Sequence, residues 1–322
     1  MLPTYGPTGN VEPRPGRILG LMSLIILVSC TAQDGVVGAM ATDADAGDDA
    51  SESALVFETQ FEVNAGVWEE RVVLPGGSVE FGTASADAAD GNVARLRFPG
   101  DAAAEANDHV GPGYVTQIRT IERFHFGTYR TRVKFGTCGP DEEVASALLG
   151  YFSDGSDQDG DGIADELEID VQALCGTPEL VFLTVYTDYE VDGTGTEQFR
   201  KLTRSIDFST GDVYDTPSSQ SDEFALTDTV AAFLRPDFPA ADTFYEVGFE
   251  WRADAVRFFM VLDGAELSLW TLSDPTSIPQ LPLHFMYNLW HPASHWHPAS
   301  GNADFPAQDV ALVADWLRIN AE

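Results

Sequence analysis

The 322-residue sequence gathers its chemistry between Asp157 and Cys175, in the run D-Q-D-G-D-G-I-A-D-E-L-E-I-D-V-Q-A-L-C. Two patterns overlap there. In the first, Asp157, Asp159 and Asp161 alternate, Gly162 follows, and Asp165 comes three residues later. Alternate aspartates with a glycine at the bend are how a short loop wraps oxygen ligands around Ca²⁺. The expected ligands are Asp157, Asp159, Asp161, the Ile163 carbonyl and Asp165, with Ca²⁺ in a structural role. The alternative is a solvated acidic loop. Glu168 stands where such a loop places its bidentate glutamate, but it also belongs to the second pattern and is assigned there. That pattern, Glu166 to Gln172, alternates polar and apolar residues. On a strand it puts Glu166, Glu168, Asp170 and Gln172 on one face and Leu167, Ile169 and Val171 on the other. Like charges in a row repel and bury poorly. Lining an open cleft would justify that cost.

The segment E-I-D-V-Q resembles the E-x-D-x-E active-site strand of glycoside hydrolase family 16, the jelly-roll β-glucanases. The resemblance implies Glu168 as nucleophile and Asp170 as its assisting acid. It places Gln172 at the acid/base position, where an amide neither holds nor releases a proton. General acid–base help is typically worth about 10²–10⁴ in rate, so a glutamine there should cripple ordinary hydrolysis. A second register, Glu166, Glu168 and Asp170, keeps three acids. The first is preferred because E-I-D is closer to the family pattern and the Ca²⁺-type loop ends just before it. Three readings stay open. Glu166 or a cleft histidine supplies the proton, or the chain is a sugar-binding pseudo-enzyme, or the second register holds and Asp170 is the acid. An acidic exposed strand without catalytic role is the plain alternative.

The elements that must position this strand are short β-rich runs. Val67–Val73, Val93–Phe98, Gly127–Thr137 and Val144–Phe152 are separated by turn-formers such as Pro75-Gly76-Gly77 and Asp90-Gly91-Asn92. Pro178–Asp188 is nearly continuous in apolar residues and reads as a strand buried between sheets. Phe244–Trp251 and Val256–Leu262 form a further pair, and Asp263-Gly264 is a hairpin cue leading into Ala265–Trp270. The one helical patch predicted is Phe224–Leu234, with Ser221 or Asp222 as cap. Val310–Ile319 reads as a closing strand. Many short strands without βαβ alternation predict an all-β, antiparallel β-sandwich or jelly roll. The family resemblance extends through Gly127–Arg132, Tyr245–Trp251, Val256–Phe259, Asn288–His291 and Asp315–Ile319, and so implies a concanavalin A-like jelly roll over about 55–319. The tryptophan-rich strand often found before the family's acidic strand is absent from Glu142–Phe152.

The loop Trp290 to His297 is the next candidate. Tryptophan faces stack on sugar rings and histidine edges hydrogen-bond hydroxyls, so Trp290, His291 and Trp296 are expected at a cleft rim. A three-histidine metal site and a core tryptophan with surface histidines are the alternatives. Three cysteines are present. Arg14 and Arg17 precede an apolar run and Leu27-Val28-Ser29-Cys30, which resembles a bacterial lipobox. Residues 1–30 are expected to be a lipoprotein signal peptide with Cys30 lipidated, and 31–54 an acidic tether. The folded domain is then 55–322, exported and held at an outer membrane or cell surface by the lipid alone. Cys138 and Cys175 remain for a possible disulfide; they are expected to end two strands that run the same way two apart in one sheet, with the loops bringing them together.

The net charge of −35 argues against nucleic acid and against attraction to anionic membranes. The expectation is a monomeric, retaining glycosidase-like protein acting on β-linked polysaccharide of the β-glucan type. The alternatives are a non-catalytic carbohydrate binder on the same fold and a Ca²⁺-stabilised adhesion domain.

Overall fold

The structure, a computed structural model, describes residues 54–100, 111, 114–239 and 243–322. The expected leader, Cys30 and the tether up to residue 53 lie outside the described residues.

Two antiparallel sheets face each other. The first is built from β1 (Leu55–Thr59), β3 (Ser78–Ala84), β4 (Asn92–Phe98), β6 (Gly127–Lys134), β13 (Tyr245–Arg252), β14 (Ala255–Leu262), β15 (Ala265–Leu272) and β17 (Val310–Ala321). Its order is β15-β14-β13-β6-β17-β4-β3, with β1 also paired to β17. The second holds β2 (Trp68–Val72), β5 (Thr116–Thr120), β7 (Ala145–Ser153), β8 (Asp165–Leu174), β9 (Leu180–Val191), β10 (Glu197–Asp207), β11 (Asp212–Asp215), β12 (Ala225–Thr229) and β16 (His284–Trp290). Its order is β12-β11-β10-β9-β8-β7-β16-β5-β2, which puts the acidic strand β8 at the centre. The all-β antiparallel sandwich predicted from the strand pattern is what the chain forms.

Alternation explains the layers. Along β6 buried and half-buried residues alternate without a break, so Tyr129, Thr131 and Val133 enter the core. From the other sheet Leu167, Ile169 and Val171 meet the same core. Large aromatics fill it; the polar tips of Tyr129, Trp251 and Tyr287 are satisfied, whereas Trp68 Nε1 is buried without a partner. Tyr129 Oη donates to the His125 carbonyl at 2.6 Å, Trp251 Nε1 to the Pro279 carbonyl at 2.9 Å, and the Tyr287 hydroxyl lies 2.6 Å from Thr131 Oγ1. A buried ring of this kind stabilises through area only if its heteroatom keeps a partner. The β14–β15 turn is the one predicted: Asp263 and Gly264 have φ of 54° and 76°, as a two-residue hairpin of this twist requires.

Two expectations need correction. The predicted helix at Phe224–Leu234 is instead the edge strand β12 followed by turns. The Thr227 and Thr229 side chains settle it: their hydroxyls donate to Val213 O, Asp215 and Asp212 on β11, which a helix would forfeit. The only helical element among the described residues is one 3₁₀ turn, Pro275–Ser277. The Cys138–Cys175 disulfide is present, but the ends it joins do not belong to strands two apart in one sheet. β6 and β8 lie in opposite sheets, and the loops after them meet so that Cys138 N donates to Cys175 O at 2.9 Å and the Cα atoms are 5.0 Å apart.

The bridge spans a sequence separation of 37 residues and closes the loop that contains β7 and β8. Such a cross-link is typically worth about 2–4 kcal/mol, largely through the unfolded chain. A Cys138→Ser/Cys175→Ser double variant is expected to lose that much in urea denaturation; an unchanged midpoint would remove the bridge from the stability of the fold.

Candidate functional site

The site is the outward face of β8. Glu166, Glu168 and Gln172 are half-buried on that face, and Asp170 between them is fully buried. The ladder carries each residue into a row across the sheet. Glu168 lies between Tyr151 of β7 and Tyr186 of β9, Asp170 between Leu149 and Thr184, and Gln172 between Ala147 and Phe182. The Glu168 row continues to Lys201 on β10, and the Gln172 row to Asn288 on β16 and Gln117 on β5.

A cleft of about 530 Å³ opens over this face, lined by Glu166, Glu168, Gln172, Tyr186, Lys201 and Asn288 among others. A second cavity of about 450 Å³ continues towards β5 and β2, and shares Leu149, Glu166, Glu168 and Asn288 with it. The groove therefore runs across the strands with Glu168 near its middle. One wall is aromatic. Trp290 and Trp296 have ring centroids 5.8 Å apart, Phe182 meets the Trp296 ring edge-on at 5.0 Å, and His297 stacks on Phe224 at 4.8 Å.

Within the acidic row, Gln172 Nε2 donates to Asp170 Oδ2 at 3.0 Å. Burial pushes the Glu168 carboxyl well above the usual carboxylate range, and the charge of Asp170 and the hydrogen bond between the two push the same way. Burial raises Asp170 as well, against hydrogen bonds from Glu168 and Gln172 that favour its ionised form. Burial also raises Glu166. Carboxylates this close give up their protons as a pair. Two amide oxygens on this face, Gln172 Oε1 and Asn288 Oδ1, are buried without a hydrogen-bond partner. Buried acceptors of this kind suit a ligand that brings its own donors.

The rim loop departs in part from the sequence reading. Trp290 and Trp296 line the cleft. His291 does not: it is 2% exposed, its Nδ1 bonds the Glu143 carbonyl at 2.8 Å, and its ring packs on Phe305. It anchors the loop from behind. His295 Nδ1 lies 2.8 Å from Oε1 of the fully buried Glu143, whose other oxygen accepts from Gly176 N at 3.1 Å. Glu143 thus ties the aromatic loop to the end of β8, and burial is the main cause that raises its own carboxyl. No histidine joins a metal-binding cluster among the described residues, so the three-histidine alternative has no support there.

Asp157, Asp159 and Asp161 come together at the β7–β8 turn, where Gly160 and Gly162 adopt φ of 79° and 95°. Ile163 follows them and donates its N–H to Asp161 Oδ1. Asp165 joins Asp159 and a residue not expected from the loop, Asp188 of β9. Lys201 was equally unforeseen. It pairs with Asp222 and sits over the Phe199 ring at 4.9 Å, inside the cleft. The alternation of Thr184, Tyr186 and Asp188 after a continuous apolar run is the signal that could have marked β9 as a cleft strand.

No protein-family model matches the chain, and no curated protein matches it in sequence. Among solved structures, it is similar to a Bacillus licheniformis β-glucanase at 17% identity, with 84% of this chain and 100% of that one covered and a TM-score of 0.48. It is similar to a prokaryotic β-1,3-1,4-glucanase (lichenase) derived from a mouse hindgut metagenome at 17% identity, with 83% and 99% covered and a TM-score of 0.47. A third is LamA of Zobellia galactanivorans in complex with laminaritriose and laminaritetraose, at 15% identity, 83% and 98% coverage and a TM-score of 0.46. These are likenesses of chain path and assign no residue a role.

The raised carboxyls give a stability test. An acid whose folded pKa lies above its unfolded value, about 4.3 for glutamate, stabilises the fold below that value and loses the contribution as pH rises. Glu168→Gln is therefore expected to be more stable than the parent at pH 7, by about 1 kcal/mol or more, with the gain vanishing near pH 4. Urea titrations at the two pH values measure it; a gain that is the same at both would contradict a half-buried Glu168 that holds its proton at pH 7.

Proposed function

We propose that the groove binds β-linked polysaccharide of the β-glucan type and that the protein is a retaining glycosidase with Glu168 as nucleophile. The observation that carries this reading is the acidic row on the floor of an aromatic-walled groove, with unpartnered acceptors beside it. Sugar rings offer apolar faces to tryptophan and hydroxyl donors to buried oxygens. A retaining reaction needs two carboxyl groups about 5–5.5 Å apart across the scissile bond. In this reading Glu168 attacks the anomeric carbon, the C–O bond to the leaving sugar breaks, and water later releases the glycosyl group. Asp170 is too buried to reach a glycosidic oxygen; the proton the pair shares rests on Glu168, and Asp170 takes it up when Glu168 ionises to attack. The leaving oxygen needs a proton from elsewhere. Glu166 fits: it faces the cleft two residues from Glu168, and burial keeps its carboxyl protonated to higher pH.

A second reading is favoured by Gln172. Its amide is tied to Asp170 at the place where the resemblance puts the acid, and its free oxygen can only accept. A cleft that keeps Glu168 but has no working acid would bind a polysaccharide without cleaving it.

Reducing-sugar release from β-glucans and laminarin-type polymers, with Glu168→Gln, Glu166→Gln and Gln172→Glu beside the parent, separates the two. Parent activity lost in Glu168→Gln, and reduced by about 10²-fold or more in Glu166→Gln, is the expected result for the hydrolase. A silent parent with an active Gln172→Glu indicates the binder. Silence in all, with no polysaccharide retained, would leave neither standing. In either reading Trp296→Ala is expected to weaken retention on an affinity gel by roughly tenfold, the worth of one ring contact.

A further inference from the structure

Asp188 is buried more completely than its protein partners explain. It stands on β9 directly opposite Asp165 of β8. Asp188 is 1% exposed and Asp165 6%. The Thr187 hydroxyl donates to Asp188 Oδ2 at 2.6 Å, but Oδ1 is buried with no partner. Two carboxylates facing each other across a ladder repel, and an ionised carboxylate with an unsatisfied oxygen is costly to bury. Asp159 reaches the same point from the β7–β8 turn, so that one oxygen from each of Asp159, Asp165 and Asp188 lies within 4.8 Å of the others. Asp159 belongs equally to the group with Asp157 and Asp161. Arg200 of β10 approaches from one side, its Nη1 2.6 Å from Asp161 Oδ2 and its Nε 4.0 Å from Asp188 Oδ2. One guanidinium does not balance five carboxylates, and it leaves Asp188 Oδ1 unsatisfied.

We propose that Asp159, Asp165 and Asp188 bind a divalent oxygen-preferring cation, Ca²⁺, with Asp157 and Asp161 supporting it from the loop. The donor set fits: carboxylate oxygens alone suit a hard cation and exclude one that needs sulfur or imidazole. Several converging carboxylates favour Ca²⁺, which takes six to eight oxygens flexibly, over Mg²⁺, which keeps most of its waters. The cation gives the buried Asp188 oxygen its missing partner and cancels the repulsion with Asp165. It also straps the β7–β8 turn to β9 at the point where the β8–β9 register shifts, between Asp165 and Glu168. The site therefore fixes the start of the acidic strand, independently of what the groove binds.

Calorimetric titration of the EDTA-stripped full chain with CaCl₂, and separately with MgCl₂, tests this, with thermal melting as a second readout. Saturable Ca²⁺ binding is expected, with a rise of several degrees in melting temperature and a weaker response to Mg²⁺. Asp188→Asn keeps the shape and removes the buried charge, so the metal-free variant stays folded; its Ca²⁺ affinity is expected to fall at least about tenfold. Asp254→Asn, on an exposed turn of the other sheet, is expected to bind as the parent does. No binding and no thermal shift in the parent would overturn the site. Unchanged affinity in Asp188→Asn would overturn its composition, and an equal response to Mg²⁺ would overturn the choice of ion.

Discussion

A strand that is apolar on one face and acidic on the other has only one stable place in a sandwich, between the core and water that it does not fully meet. β8 occupies that place. Leu167, Ile169 and Val171 fix it against the core, and this turns Glu166, Glu168, Asp170 and Gln172 into the groove whether or not their charges repel. The hydrophobic burial of three branched side chains, about 1.5–3 kcal/mol each, sets the orientation; the carboxylates adapt to it by holding protons and by sharing hydrogen bonds.

The surroundings follow from the same constraint. A central strand has neighbours on both sides, so each acidic residue inherits a row: Tyr151 and Tyr186 beside Glu168, Leu149 and Thr184 beside Asp170. Both ends of β8 are tied down. At one end Cys175 is bridged to the loop after β6, and Glu143 pulls the aromatic loop in through His295, Gly176 and its own carbonyl to His291. At the other end Asp165 meets Asp188 and Asp159. A groove whose floor must hold charge is thus framed by covalent and hydrogen-bonded contacts at one end of β8 and, at the other, by the carboxylates of the proposed cation site.

Much of this was legible in the residues. Period-two alternation marked the acidic and apolar faces of β8, and the Asp-Gly pair marked the β14–β15 hairpin. What could not be read was mostly non-local. His291 and Trp290 are adjacent in sequence but face opposite ways, because His291 finds its partner in Glu143, far away in the chain. Asp188 looks like the tail of a hydrophobic strand until Asp165 is placed across from it. The Phe224–Leu234 segment has helical spacing, yet pairing with β11 satisfies its threonines better than a lone exposed helix could. The register of the disulfide needed the knowledge that β6 and β8 lie in different sheets.

The face of β8 is proposed as a saccharide groove. Its most direct test is a crystal structure of the protein soaked with a laminari- or mixed-linkage gluco-oligosaccharide. Sugar density is expected across the strands over Glu168, with a ring against Trp290 or Trp296 and hydroxyls on the oxygens of Gln172 and Asn288. An empty groove at saturating oligosaccharide, or sugar bound on the opposite sheet, would contradict it.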